Sequence, residues 1–134
     1  MPEVLNVLIL DDEPIVGKRL KPGLAKIGCE VEVFTDPKEA YKRIDEKKFQ
    51  IVVTDIYMPE IDGFQIMKHA LERWDQTKVI VITGYAMMEV ARTAMEKGAF
   101  DFIAKPFTPA DLRAMITKAG AALGVELPST EPSA

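Results

Sequence analysis

Short apolar runs alternate with longer stretches of helical periodicity, and the alternation repeats five times along the chain. It predicts strands over residues 7–10, 31–34, 51–54, 79–82 and 102–104. Three of these (Val7-Leu8-Ile9-Leu10, Ile51-Val52-Val53 and Val79-Ile80-Val81-Ile82) are continuously apolar. Strands covered by helices on both faces read this way, whereas half-exposed strands alternate. Between the strands lie helix signals. Asp36-Pro37-Lys38-Glu39 and Thr108-Pro109-Ala110-Asp111 each place a capping oxygen before a proline at the first helical position. The second of them opens a helix from Pro109 to about Leu123, and Lys97-Gly98 closes a helix over residues 87–97 with glycine where a left-handed residue is wanted. Ile15, Val16, Leu20, Leu24 and Ile27 form the apolar stripe of a first helix that contains Pro22. An interior proline costs about 3 kcal/mol, so a kink or break is expected near residues 18–21. Five βα units in succession predict an α/β fold, a doubly wound parallel sheet of five strands with helices on both faces.

The chain of 134 residues suits one domain over residues 1–124, followed by a tail over 125–134 whose Pro, Ser and Thr content reads as disordered or linker. A net charge of −4 gives no basic surface for nucleic acid. No run approaches the roughly 20 apolar residues of a membrane span, and residues 1–6 carry no signal-peptide pattern. Cys29, the single cysteine, excludes an internal disulfide and reads as a small buried hydrophobe. A cytoplasmic location is expected.

Ligands of open parallel sheets bind beyond the carboxyl ends of the strands. Here the first strand ends in Asp11-Asp12-Glu13, the third in Asp55, the fourth in Thr83-Gly84 and the fifth in Lys105-Pro106. Each feature alone reads as ordinary turn or capping chemistry, but their joint placement on one sheet edge does not. Crowded carboxylates raise one another's pKa unless a cation holds them ionised. A divalent metal and the Lys105 ammonium are the two candidates. Oxygen-only donors favour magnesium, which takes one or two carboxylates plus a phosphate, and manganese is tolerated by the same donors.

These segments resemble the receiver domains of bacterial two-component response regulators. The likeness is carried by Val7 to Pro14, by Val53 to Pro59 with Asp62-Gly63, by Ile80 to Gly84 and by Gly98 to Phe107, and it spans about residues 4–123. It implies a flavodoxin-like receiver fold and a switch phosphorylated by a histidine kinase or phosphotransfer protein. Asp55 would accept the phosphoryl group. Asp12, Asp55 and the backbone carbonyl of Tyr57 would ligate magnesium, with Asp11 acting mainly through bound water. Thr83 and Lys105 would contact phosphoryl oxygens, and the Lys105–Pro106 peptide would be cis. Phe102 would be the aromatic switch residue. The working face, also the surface of a homodimer, would be the fourth helix, fifth strand and fifth helix. The resemblance also places Tyr57 and Tyr85 beside the path of attacking water, where two bulky rings would slow hydrolysis.

Rival readings have weaker support. A flavin carrier on this fold would need an anion-binding loop after the first strand, where Asp11-Asp12-Glu13 would repel phosphate. An aspartyl phosphatase would carry an Asp-x-Asp pattern there, which is missing. A phosphorylation-independent interaction module leaves the joint presence of Asp12, Asp55, Thr83 and Lys105 without a reason. His69 and Trp74 on the third helix read as surface or packing residues, and Met87 and Met88 as an adaptable contact at the start of the fourth.

Overall fold

The structure, a computed structural model, describes residues 4–58, 60–84 and 88–125. Five strands alternate with five helices among them: β1 (Leu5–Leu10), α1 (Pro14–Lys26), β2 (Cys29–Phe34), α2 (Pro37–Glu46), β3 (Ile51–Asp55), α3 (Gly63–Arg73), β4 (Lys78–Thr83), α4 (Met88–Glu96), β5 (Asp101–Ala104) and α5 (Pro109–Ala122). All pairings are parallel, in the order β2-β1-β3-β4-β5. From β1 the chain steps to one side to form β2 and returns across to form β3. The crevice where a sheet reverses like this is where ligands bind.

The apolar strands divide their side chains between two cores. Leu5, Val7 and Ile9 of β1 meet Leu20 and Leu24 of α1 and Leu112 and Ile116 of α5. Leu8 and Leu10 face the other way, against Ala40 and Ile44 of α2 and Ile66 and Met67 of α3. Val52 likewise points opposite to Ile51 and Val53, which is why these runs carry no polar position.

The capping signals hold. The Asp36 carboxylate accepts from the Lys38 N–H at 2.9 Å, and Thr108 Oγ1 accepts from the Asp111 N–H at 3.1 Å. Gly98 closes α4 with φ +111°.

The expected break in α1 does not occur: the helix runs unbroken from Pro14 to Lys26 with Pro22 inside it. Lys18 and Pro22 are both exposed, so water can solvate the carbonyl that the proline leaves without a donor. The loss of about 3 kcal/mol competes with burial of Leu20 and Leu24, each worth roughly 1.5–3 kcal/mol, and burial wins. Ile15 does not join the buried stripe and stays 58% exposed. Met87 and residues 126–134 of the expected tail lie outside the described residues.

Away from the sheet edge, α2 and α3 are tied together. The Trp74 indole N–H donates to the Ile44 carbonyl at 2.8 Å. The His69 ring stacks on Tyr41 at 3.6 Å and its Nε2 lies 3.0 Å from Asp45 Oδ1. Packing accounts for both residues.

Candidate functional site

Backbone hydrogen bonds fix the rim of the sheet before any side chain is considered. The Asp11 N–H donates to the Phe34 carbonyl, the Ile56 N–H to the Ile82 carbonyl and the Lys105 N–H to the Thr83 carbonyl, at 3.1, 3.2 and 2.8 Å. These bonds tie the end of β1 to β2, β3 to β4 and β5 to β4, and the Leu10–Thr54 pairing of β1 with β3 brings all the strand ends to one edge. The Lys105–Pro106 peptide is cis. Gly63 opens α3 against the same rim: a Cβ there would lie 2.4 Å from the Asp55 carbonyl oxygen and 2.7 Å from Ile56 Cα. Only glycine allows that approach.

Asp11, Asp12 and Asp55 each bring one carboxylate oxygen to within 4.8 Å of the others. That span is close to the roughly 4 Å between opposite oxygens around a magnesium ion with bonds of about 2.1 Å. Asp11 is 1% exposed, Asp55 half-buried and Asp12 exposed, so the trio runs from the interior to solvent. The Lys105 ammonium sits among these acids, 3.0 Å from Asp11 Oδ2, 3.0 Å from Glu13 Oε1 and 3.4 Å from Asp55 Oδ2. It hydrogen-bonds Glu13 and Asp55, and it is ion-paired with the buried Asp11 Oδ2.

The electrostatics follow from three acids sharing one ammonium. Burial and the neighbouring Asp11 charge push the Asp55 carboxyl above the ordinary carboxylate range, against the pull of Lys105 and the Tyr57 N–H. Burial disfavours the Lys105 ammonium, but Asp11, Glu13 and Asp55 outweigh it and hold the lysine above its ordinary value. The ammonium is secure and its attraction is divided.

Thr83 ends β4 with its hydroxyl buried and without a partner among the described residues. A buried polar group left in this way is costly unless something arrives to pair with it. The chemistry of the set is consistent: hard oxygen donors fit a divalent cation, while a lysine and a buried hydroxyl fit an oxyanion. Tyr57 donates its backbone N–H to Asp55 Oδ1 at 3.2 Å and leaves its ring 59% exposed beside the site. Tyr85 lies outside the described residues. Phe102 stands half-buried on β5, opposite Val81 of β4, and packs on the core shared by α3 and α4.

Sequence reasoning missed one participant. Glu13 reads as part of an acidic run after β1, but its side chain bonds Lys105 across 92 residues of chain. Only the fold brings the two together.

Comparison with known proteins identifies the family and the fold. The family model for the response regulator receiver domain matches residues 7–117. A putative NtrX-like response regulator of Rickettsia conorii is 35% identical over 117 residues, covering 86% of this chain and 25% of the relative. The regulatory protein AtoC of Escherichia coli is 33% identical over 119 residues, covering 89% of this chain and 26% of the relative. The chain therefore spans about a quarter of the length of these curated relatives. A solved structure of a CheY-like response regulator receiver domain protein from Methanospirillum hungatei superposes with a TM-score of 0.84 at 28% identity, over 91% of this chain and 98% of the other. With the family model covering most of its length and a parallel sheet that matches receiver structures throughout, this chain belongs to the response regulator receiver domain family.

Proposed function

We propose that the chain is a phosphorylation-dependent signalling switch in which Asp55 accepts a phosphoryl group in a magnesium-dependent reaction. The observation that carries this reading is the conjunction at the rim: a lysine shared among acids, a buried hydroxyl with no partner among the described residues, and three carboxylates close enough for one ion.

Asp12, Asp55 and the Tyr57 carbonyl would hold the metal directly, with Asp11 acting through water. A bound magnesium would supply charge neutralisation between the acceptor and the incoming phosphoryl oxygens. The chain's own groups do the rest. An Asp55 oxygen forms the new bond to phosphorus as the donor's bond breaks. Lys105 neutralises one phosphoryl oxygen, and the Thr83 hydroxyl donates to another. Phosphoryl transfer asks mainly for positioning and charge, which this site offers on rigid strand ends. Once Thr83 has turned toward the phosphoryl group, Phe102 would fill the space behind it. That change would bias the face of α4, β5 and α5, where Met88 and Met95 are already exposed and suit a self-association surface.

The donor would be a histidine kinase or phosphotransfer protein. A groove lined by Ile15, Val16, Leu20, Pro106 and Phe107 opens beside Lys105 and offers it an apolar landing. Incubation with acetyl phosphate and Mg2+ should add one phosphoryl mass to the intact protein, and Asp55→Asn should add none. An unmodified wild type, or a labelled Asn variant, would defeat the assignment. Tyr57 and Tyr85 would set the lifetime of the product. Replacing both with small polar residues should quicken phosphate release, and an unaltered rate would remove that role.

A further inference from the structure

We propose that Glu13 is a positioning residue that divides the Lys105 ammonium's attention with the acceptor until a phosphoryl group draws it off. The inference rests on the phosphoacceptor reading of the same site and adds a residue to it.

Three observations carry it. Lys105 Nζ lies 3.0 Å from both Glu13 Oε1 and the buried Asp11 Oδ2 but 3.4 Å from Asp55 Oδ2, so the acceptor is its most distant acid, and Glu13 is the exposed, exchangeable one of the two that hold it closer. Glu13 occupies the N-cap position of α1, yet its side chain makes no capping bond. N-caps favour Asp, Asn, Ser or Thr, whose short side chains can turn back to the helix. Glutamate is a poor choice for that task and has the reach for Lys105. Finally, the Glu13 backbone is pinned from behind: its N–H donates to Asp11 Oδ1 at 2.9 Å. The deepest acid of the site thus steadies the backbone of an exposed neighbour that reaches the lysine.

The Glu13 side chain is 61% exposed, so its bond is weak and exchangeable. Such a bond is suited to a latch. A phosphoryl oxygen, carrying more charge and sitting deeper in the site, would outcompete Glu13 for the ammonium. Glu13 would then act as a tax on the phosphorylated state, holding its population down until phosphorylation is driven.

A bland alternative is that the Glu13 charge merely favours the N-terminus of α1 or repels anions at a distance. Two variants separate these ideas. Glu13→Gln loses the charge. Glu13→Asp keeps the charge and suits the cap better, but falls a methylene short of Lys105. Affinity for beryllofluoride, a phosphoryl mimic, is measured by calorimetry at saturating Mg2+, alongside affinity for Mg2+ alone. The Lys105 Nζ resonance is followed by 1H–15N NMR. Both variants should bind beryllofluoride about two- to fivefold more tightly, the range an exposed ion pair sustains. Mg2+ affinity should stay unchanged, and the Lys105 resonance should shift before any beryllofluoride is added. A Glu13→Asp variant matching the wild type, or an equal gain in Mg2+ affinity alone, would overturn the latch. Absence of beryllofluoride binding in the wild type as well would overturn the site assignment, and the latch with it.

Discussion

Lys105 and Glu32 stand at the centres of two ion clusters built from the same kinds of side chain in opposite proportions. On the outer flank of the sheet, the single Glu32 carboxylate meets two cations: Arg43 Nε at 2.8 Å and Lys47 Nζ at 2.9 Å. The Arg43 bond is the main reason its pKa falls to about 2, and Lys47 adds to the effect. At the rim, one ammonium faces three acids, and the Asp55 carboxyl moves the other way. The first cluster is complete and joins β2 to α2. The second is short of positive charge, and beside it the buried Thr83 hydroxyl has no partner among the described residues. Stability and reactivity thus come from one chemistry, and the ratio of the partners decides between them.

Supplying the missing charge should produce the largest effect. Mg2+ at a hundred times its dissociation constant should stabilise the fold by about 2.7 kcal/mol, read as a rise in Tm, whereas Asp12→Asn should remove most of that gain. A metal-independent Tm would erase the contrast between the clusters. Next comes removal of a crowded acid without metal. Asp55→Asn should raise Tm by about 2–4 °C, roughly 1 kcal/mol for a domain of this size, because an ionised carboxylate held above its ordinary pKa destabilises the fold at neutral pH. That penalty fades as pH falls through the raised value and Asp55 takes up a proton, so the variant's advantage should shrink in acid.

The smallest effect should have the opposite sign. Glu32→Gln should cost about 0.5–1 kcal/mol by denaturant melt at pH 7, as expected of a partly exposed pair. Because the Glu32 pKa is depressed to about 2 from 4.5, its contribution is complete above 4.5 and disappears as pH falls toward 2. The variant should therefore lose part of the acid sensitivity seen in the wild type between those limits. Equal acid limbs would show that Glu32 is not the strongly paired group described.

The strands and helix caps could be read from the chain because their signals are local. Ile51-Val52-Val53 has no polar position since both of its faces are covered, and Asp36-Pro37 and Thr108-Pro109 carry their own capping chemistry. The rim acids, Thr83 and Lys105 could be placed together because a parallel sheet brings successive strand ends to one edge. That Pro22 does not break α1 was not legible, because its cost is weighed against burial of Leu20 and Leu24, and that burial depends on their partners elsewhere in the fold. The Glu32–Arg43–Lys47 cluster and the Glu13–Lys105 bond left no trace in the sequence. Each depends on how a helix or loop lies on the sheet, a relation between distant segments.

The glycine that opens α3 carries a lesson for transplantation. Because Gly63 is pressed against the main chain of Asp55 and Ile56, the acid and the helix start form one indivisible part. An engineer grafting the acidic triad onto another scaffold would have to import that small residue along with the carboxylates. Any bulkier choice would shove Asp55 out of line with its neighbours.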